Sequence, residues 1–134
     1  MTAATPEGWQ RIRLDDDLSL AVPADAVARD LRPIDSVFGM LGGEGYEIAY
    51  DYGRSGDDLA MYTEEPGFSR RSRDVAGRPG TEVEFRGSGG PWAHVRMLQV
   101  QVGANVLTVR MNCVDADTCR TADVLFDSVS FGPA

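Results

Sequence analysis

The chain contains no lysine: all 13 of its basic residues are arginine. That absence excludes Schiff-base chemistry and the lysine of a Walker-type phosphate loop. Histidine occurs once, at position 94, and cysteine twice. A zinc site of about four ligands is not expected from such a set. Long apolar runs are missing as well. The longest candidates, Val95–Val102 and Val106–Met111, are broken by Arg96, Gln99, Gln101 and Arg110, far short of the roughly 18 residues of a membrane span. Positive charge is in deficit, with a net charge of -8 over 134 residues. General nucleic-acid binding, which needs clustered cations for phosphate, is therefore not expected.

The charge that is present is unevenly spread. Residues 1–69 carry 14 acids and 5 arginines, whereas residues 70–110 carry 3 acids and 7 arginines. Arg70, Arg71 and Arg73 form the densest cationic run. It reads as a solvated loop paired with the acidic first half, or as an anion or partner loop. Cys113 and Cys119 enclose five residues. A disulfide there closes a short loop and implies an oxidising compartment; two buried free thiols are the alternative. The start, MTAATPEGW, has neither the basic nor the apolar region of a signal peptide. Its small polar residues match a mature end left after signal removal. Residues 1–8 are thus expected to form a tail, and 9–134 a single exported α+β domain.

Period-2 alternation marks the strands. Trp9–Leu14 and Leu18–Val22 flank three aspartates and predict a hairpin ended by Pro23. Ala24–Leu31 fits two helical turns stopped at Pro33. The glycines at 39, 42, 43 and 45 predict a turn-rich connection. Tyr46–Tyr52 follows as a strand with Tyr46, Ile48, Tyr50 and Tyr52 on one face. A short helix is expected over Asp57–Tyr62, capped by Ser55 or Asp57. Thr81–Arg86, Trp92–Val102 and Val106–Cys113 continue the strands, with a bulge near Val95 and Met97, where the apolar phase shifts. A last helix is capped by Asp117 or Thr118 and runs towards Val129, before a short strand to Phe131. The fold class is α+β, a single antiparallel sheet of about six strands with helices packed on it.

Catalytic patterns are sparse. His94 lies in a strand, and no Gly-x-Ser-x-Gly elbow exists to supply a nucleophile. The clusters Asp15–Asp17 and Asp115–Asp117 lack the alternating ligands and closing glutamate of a calcium loop, and read as a turn and a helix cap. No metal and no cofactor is expected. The polar residues left unexplained are Asp35 and Ser36, in a loop, and Asp51, Tyr52 and Gly53, at the end of the tyrosine strand. They read either as a structural cap of a connection or as a binding site.

Several of these features together, Trp9, Val22-Pro23, Ile34-Asp35-Ser36, Tyr50-Asp51-Tyr52-Gly53 and Ser128-Val129-Ser130-Phe131, resemble those of small bacterial exported proteins of unassigned function. Their shape is similar to the PsbP-like fold, shared with the Mog and DcrB-like proteins and with certain secretion adaptor chaperones. The resemblance implies an antiparallel sheet with packed helices and a partner-binding rather than catalytic role. The DcrB-like proteins are often lipid-anchored, but no lipobox cysteine precedes Trp9 here. Three readings of function follow: an exported binding or accessory domain for a protein or small ligand, a hydrolase using carboxylates or His94, and an adaptor for hydrophobic segments. Oligomeric state is not legible from the sequence.

Overall fold

In the computed structural model, which describes residues 4–29, 37–54, 56, 58–87 and 90–131, alternation produces ten strands. They are β1 (Trp9–Asp15), β2 (Leu18–Pro23), β3 (Val27–Arg29), β4 (Val37–Gly43), β5 (Tyr46–Gly53), β6 (Ser69–Val75), β7 (Arg78–Phe85), β8 (His94–Val102), β9 (Asn105–Cys113) and β10 (Ser130–Phe131). One α-helix, α1 (Thr121–Asp127), precedes β10. Instead of one sheet of about six strands, the chain makes two: β1-β2-β10, and a seven-stranded sheet ordered β3-β4-β5-β9-β8-β7-β6. All the pairings are antiparallel.

The larger sheet has two unlike faces. Ile48, Leu98, Val100, Leu107, Val109 and Met111 line the inner face, against Leu18, Leu20 and Val22 of β2 and Leu125, Phe126 and Val129 near the C-terminus. Each such side chain contributes about 1.5–3 kcal/mol on leaving water, so this layer dominates the folding energy. The tyrosine face of β5 points here as expected, with Tyr46 buried and Tyr50 and Tyr52 packed at its margin. On the opposite, outer face, Leu59, Val83, Phe85, Val95 and Met97 form a second, smaller cluster. That cluster replaces the expected bulge in β8. The strand keeps unbroken register with both neighbours, and its apolar phase shifts because both of its faces are covered. The register shift lies instead in β1, between Arg13 and Asp15.

Three local expectations change for physical reasons. The helix expected from Ala24 is a turn followed by β3. Asp25 accepts hydrogen bonds from Tyr46 Oη at 2.5 Å and from the Glu44 amide at 3.1 Å, which pins the turn beside the β4–β5 hairpin. The glycine-rich segment from Gly39 is a strand rather than a connection. Gly39 pairs with Tyr50 and Gly43 with Tyr46, and a Cβ at either glycine would overlap the opposing ring. The short helix is a 3-10 turn, Leu59–Tyr62, capped by Asp58, which accepts from the Ala60 amide. The expected caps Ser55 and Asp57 lie outside the described residues.

The C-terminal segment is tied in at both ends. Asp115, not Asp117, accepts the Thr118 amide at 2.7 Å and starts a 3-10 turn that leads into α1. The Cys113–Cys119 disulfide, with a Cα–Cα distance of 5.6 Å, joins the last residue of β9 to that turn. In the chain-entropy picture a loop this short contributes about 2–3 kcal/mol. Beyond α1, the Ser128 hydroxyl accepts the Ala21 amide at 2.8 Å. It thereby continues the β2–β10 ladder, which pairs only Ser130 with Ser19 and Phe131 with Leu18.

The glycine–tyrosine pairing sets a measurable expectation. Gly39→Ala is expected to cost about 1–3 kcal/mol through overpacking. In a Tyr50→Ala background the same change is expected to cost far less. Urea titration of the four proteins of this cycle reads the coupling; additive costs would show that the ring contact is not the cause.

Candidate functional site

Charge is arranged on the larger sheet in two places, with opposite consequences. On the inner face Glu82 of β7 is fully buried, and a buried carboxylate is tolerated only when paired and hydrogen-bonded. Its Oε1 accepts from Arg73 at 2.8 Å, and its Oε2 from Arg71 at 2.5 Å and from Arg96 at 2.7 and 3.1 Å. Arg96 also reaches Asp123 at 2.6 Å and the Cys119 carbonyl at 3.0 Å. Arg73 reaches Asp123 at 3.1 Å and Asp127 at 2.8 Å. Both guanidinium groups lie 5.6 Å from the Phe126 ring centroid, within cation–π range. Three arginines and three carboxylates balance. Burial raises the Glu82 pKa, but the hydrogen bonds from Arg71 and Arg96 outweigh it and hold the carboxyl below the usual glutamate value. Asp123 is lowered chiefly by its bond from Arg96.

This cluster places the sequence-identified cations. Arg70, Arg71 and Arg73 lie on the edge strand β6, not in a loop. The acids that pair with Arg71 and Arg73 are Glu82, Asp123 and Asp127, none of them in the acidic first half. Their charge is largely spent on holding α1 and β8 to the sheet. Arg70 is exposed. Nearby, His94 Nε2 lies 2.8 Å from Glu84 Oε2 across the β7–β8 ladder.

The outer face carries the second arrangement. Thr108, Arg110 and Asn112 occupy the polar phase of β9, opposite Asp51, Ala49 and Glu47 of β5. Phe38, Ala49, Asp51, Thr108 and Arg110 line a pocket of about 160 Å³. Asp51 Oδ1 is buried there with no hydrogen-bond partner, a state that costs about 1–3 kcal/mol and calls for an explanation. Arg110 does not supply the partner. Its Nε donates to Asn112 Oδ1 at 2.8 Å and its Nη1 to Tyr62 Oη at 3.3 Å, and the guanidinium forms no ion pair among the described residues. It lies 5.7 and 5.9 Å from the centroids of Tyr62 and Phe85, two rings stacked at 4.8 Å with planes 13° apart.

A second pocket of about 190 Å³ adjoins, lined by Tyr62, Glu65, Phe85, Trp92, Val95 and again Arg110. Arg110 is thus the shared wall of two clefts. The 3-10 turn at Leu59–Tyr62 supplies one side and the β5–β9 pair the other.

Of the residues singled out from sequence, Asp51 lines this outer groove. Tyr52 points to the other face. There it lines a cleft of about 480 Å³ with Asp15, Asp17, Arg78, Val102 and Phe131. Successive residues of a strand face opposite ways, so Asp51 and Tyr52 do not share a site. Gly53 closes β5 opposite Val106. Asp35 and Ser36 lie outside the described residues. Arg110, Tyr62 and Trp92 were not singled out. The one signal for Arg110 was its place on the polar phase of an otherwise apolar strand.

The balanced cluster on the inner face has a stability signature. Carboxyls held below their unfolded pKa, which is about 4, contribute stability that is full above that pKa. The contribution is lost as pH falls through the lower folded pKa values. Acid titration followed by circular dichroism is therefore expected to unfold the wild type below about pH 4. Glu82→Ala is expected to cost about 3–5 kcal/mol at neutral pH, because it removes the bidentate partner of the buried Arg96 and opens a polar gap in the core. A cost below about 1 kcal/mol would mean that the cluster behaves as a solvated surface pair.

No family model matches the chain, and no curated protein matches it. Among solved structures it is similar to the solution structure of cyanobacterial PsbP (CyanoP) from Synechocystis sp. PCC 6803, with a TM-score of 0.65. The match covers 96% of this chain and 95% of that one at 12% sequence identity. Likeness at that identity carries architecture, not activity: the chain has a PsbP-like fold.

Proposed function

We propose that the chain is a non-catalytic exported binding or accessory domain, a single α+β unit over residues 9–134, whose ligand seats in the outer groove around Arg110 and Asp51. The observation that carries this reading is a buried carboxylate oxygen without a partner and an arginine without an ion pair among the described residues, lining one pocket. Proteins elsewhere pair such groups, and unspent polar capacity collects at functional sites. The disulfide supports export, because such bonds persist in oxidising compartments.

The other two readings draw less support. A hydrolase would have to act through a carboxylate or through His94, whose Nε2 is committed to Glu84 at 2.8 Å. An adaptor for hydrophobic segments needs a contiguous apolar patch. Among the described residues the large exposed apolar side chains are Val27, Met61, Val114 and Val124, each on a different segment of the chain.

Two measurements test the proposal. Amide-resolved NMR, with a small-molecule extract of the source's envelope added, is expected to shift β5 and β9 signals around the groove. Those shifts are expected to disappear in Arg110→Gln while amide signals away from the groove stay in their wild-type positions. Shifts confined to the cleft at Tyr52 would move the site there, and no shifts at all would sink the binding reading. For export, protein unfolded without reductant is expected to expose no titratable thiol; two reactive thiols would overturn the disulfide and the compartment drawn from it.

A further inference from the structure

Resting on that binding reading, we propose that the outer groove takes a free, zwitterionic α-amino acid with an aromatic or large apolar side chain. Its ammonium group bonds Asp51 and its carboxylate bonds Arg110.

The case starts from two opposite charges that line the same small pocket without pairing. Asp51 faces Thr108 and Arg110 faces Ala49 in the β5–β9 ladder, so the two are diagonal neighbours, with a spacing of about 7–8 Å. An arginine side chain can span that distance, yet Arg110 is held away by Asn112 at 2.8 Å and by the Tyr62 and Phe85 rings. A bridging ligand must therefore bring a cationic donor to one end and an anionic acceptor to the other. Charge-assisted bonds run about 2.7–2.9 Å. An α-amino acid carries its ammonium and carboxylate on one carbon, so it can make one such bond to each side chain from within the pocket.

Other ligand chemistries meet only half of the site. An inserted lysine or arginine of a partner protein satisfies Asp51 and leaves Arg110 unanswered. A phosphate or simple carboxylate satisfies Arg110 and adds like charge beside Asp51, which costs binding. Size points the same way: pockets of about 160 and 190 Å³ fall below the roughly 300–1,000 Å³ of drug-sized sites. The second pocket specifies the side chain. Its walls are the stacked Tyr62–Phe85 pair, Trp92 and Val95, a surface that favours offset-stacked or edge-on aromatic packing. The groups need no rearrangement to form these walls, since Tyr62 is fixed by both the Phe85 stack and its hydrogen bond from Arg110. Preorganisation of that kind lowers the ordering cost of binding. The net charge of -8 does not oppose a ligand that carries no net charge.

The test is a titration of the full chain with L-phenylalanine, followed by amide-resolved NMR and calorimetry, with N-acetyl-L-phenylalanine, L-phenylalanine amide and glycine alongside. Saturable shifts at β5, β9 and the Leu59–Tyr62 turn are expected for phenylalanine. Each capped analogue is expected to bind at least ~10-fold more weakly, the scale of one lost charge-assisted bond, and glycine likewise through the loss of the buried aromatic side chain. Asp51→Asn, close in shape to the parent side chain, is expected to abolish the discrimination against the N-acetyl analogue. Arg110→Gln is expected to abolish that against the amide. No saturable binding of phenylalanine, or capped analogues binding as tightly as the zwitterion, would overturn the ligand class; the analogue series does so on the wild type, independently of whether a variant folds. If envelope extract shifts the groove signals and phenylalanine does not, the ligand class falls and the binding reading stands. If neither shifts them, both fall.

Discussion

The fully buried carboxylate of Glu82 is the constraint around which the rest of the molecule is arranged. A lone ion there would be prohibitively costly, so two strands and a helix converge to answer it. Arg71 and Arg73 come from the edge strand, Arg96 from the neighbouring strand, and Asp123 and Asp127 return from α1 to balance the arginines. The cluster thereby fixes where α1 lies on the sheet. With α1 fixed, Leu125 and Phe126 are set against the inner apolar face, and Ser128 is delivered to β2. The disulfide acts on the same segment, holding the start of the C-terminal turn to the end of β9.

Because the inner face is filled in this way, the outer face is left for function. Among the described residues, the segment around Leu59 and Tyr62 packs on Val83, Phe85, Val95 and Met97. Beside that cluster the face carries polar side chains that satisfy one another incompletely. Asn112 bonds Arg110, and Gln99 donates to Thr108 at 3.2 Å, yet Asp51 Oδ1 has no partner. One face thus balances its charges internally, with a single Arg73 Nε–H left over, and the other leaves a carboxylate and a guanidinium unpaired with each other. The comparison with cyanobacterial PsbP speaks to the scaffold that both faces share, whereas the groove is a property of side chains that a scaffold does not specify.

Local alternation made much of this legible in advance. The β1–β2 hairpin, β5 with its tyrosines inward, the β8–β9 pair and the disulfide all follow from spacing within a few residues of chain. Segments whose conformation is set by distant partners were not legible. Val27–Arg29 is extended because it pairs with β4, and the glycines of β4 make a strand because two tyrosines of β5 need the room. The arginine run looked like a loop because edge strands carry charge and its carboxylate partners lie 9 to 54 residues away. Asp51 was visible as an unexplained polar residue. Arg110 was not, since a cation on the polar phase of a strand is ordinary until its surroundings are known.

By itself the sequence determined periodicity and inventory: which stretches alternate, which chemistries lack their residues, and how close in chain the two cysteines are. Those follow from covalent neighbours, whose directions repeat every second residue in an extended chain. Tertiary structure alone decided that the strands divide into two sheets, that Glu82 draws its arginines from β6 and β8 while α1 supplies the carboxylates that balance them, and that Asp51 and Tyr52 serve opposite faces. It also decided that Asp51 and Arg110 share a pocket without pairing. These outcomes depend on register and burial. Desolvation makes an unpaired charge costly only once other segments have excluded the water, and no local window of sequence contains those segments.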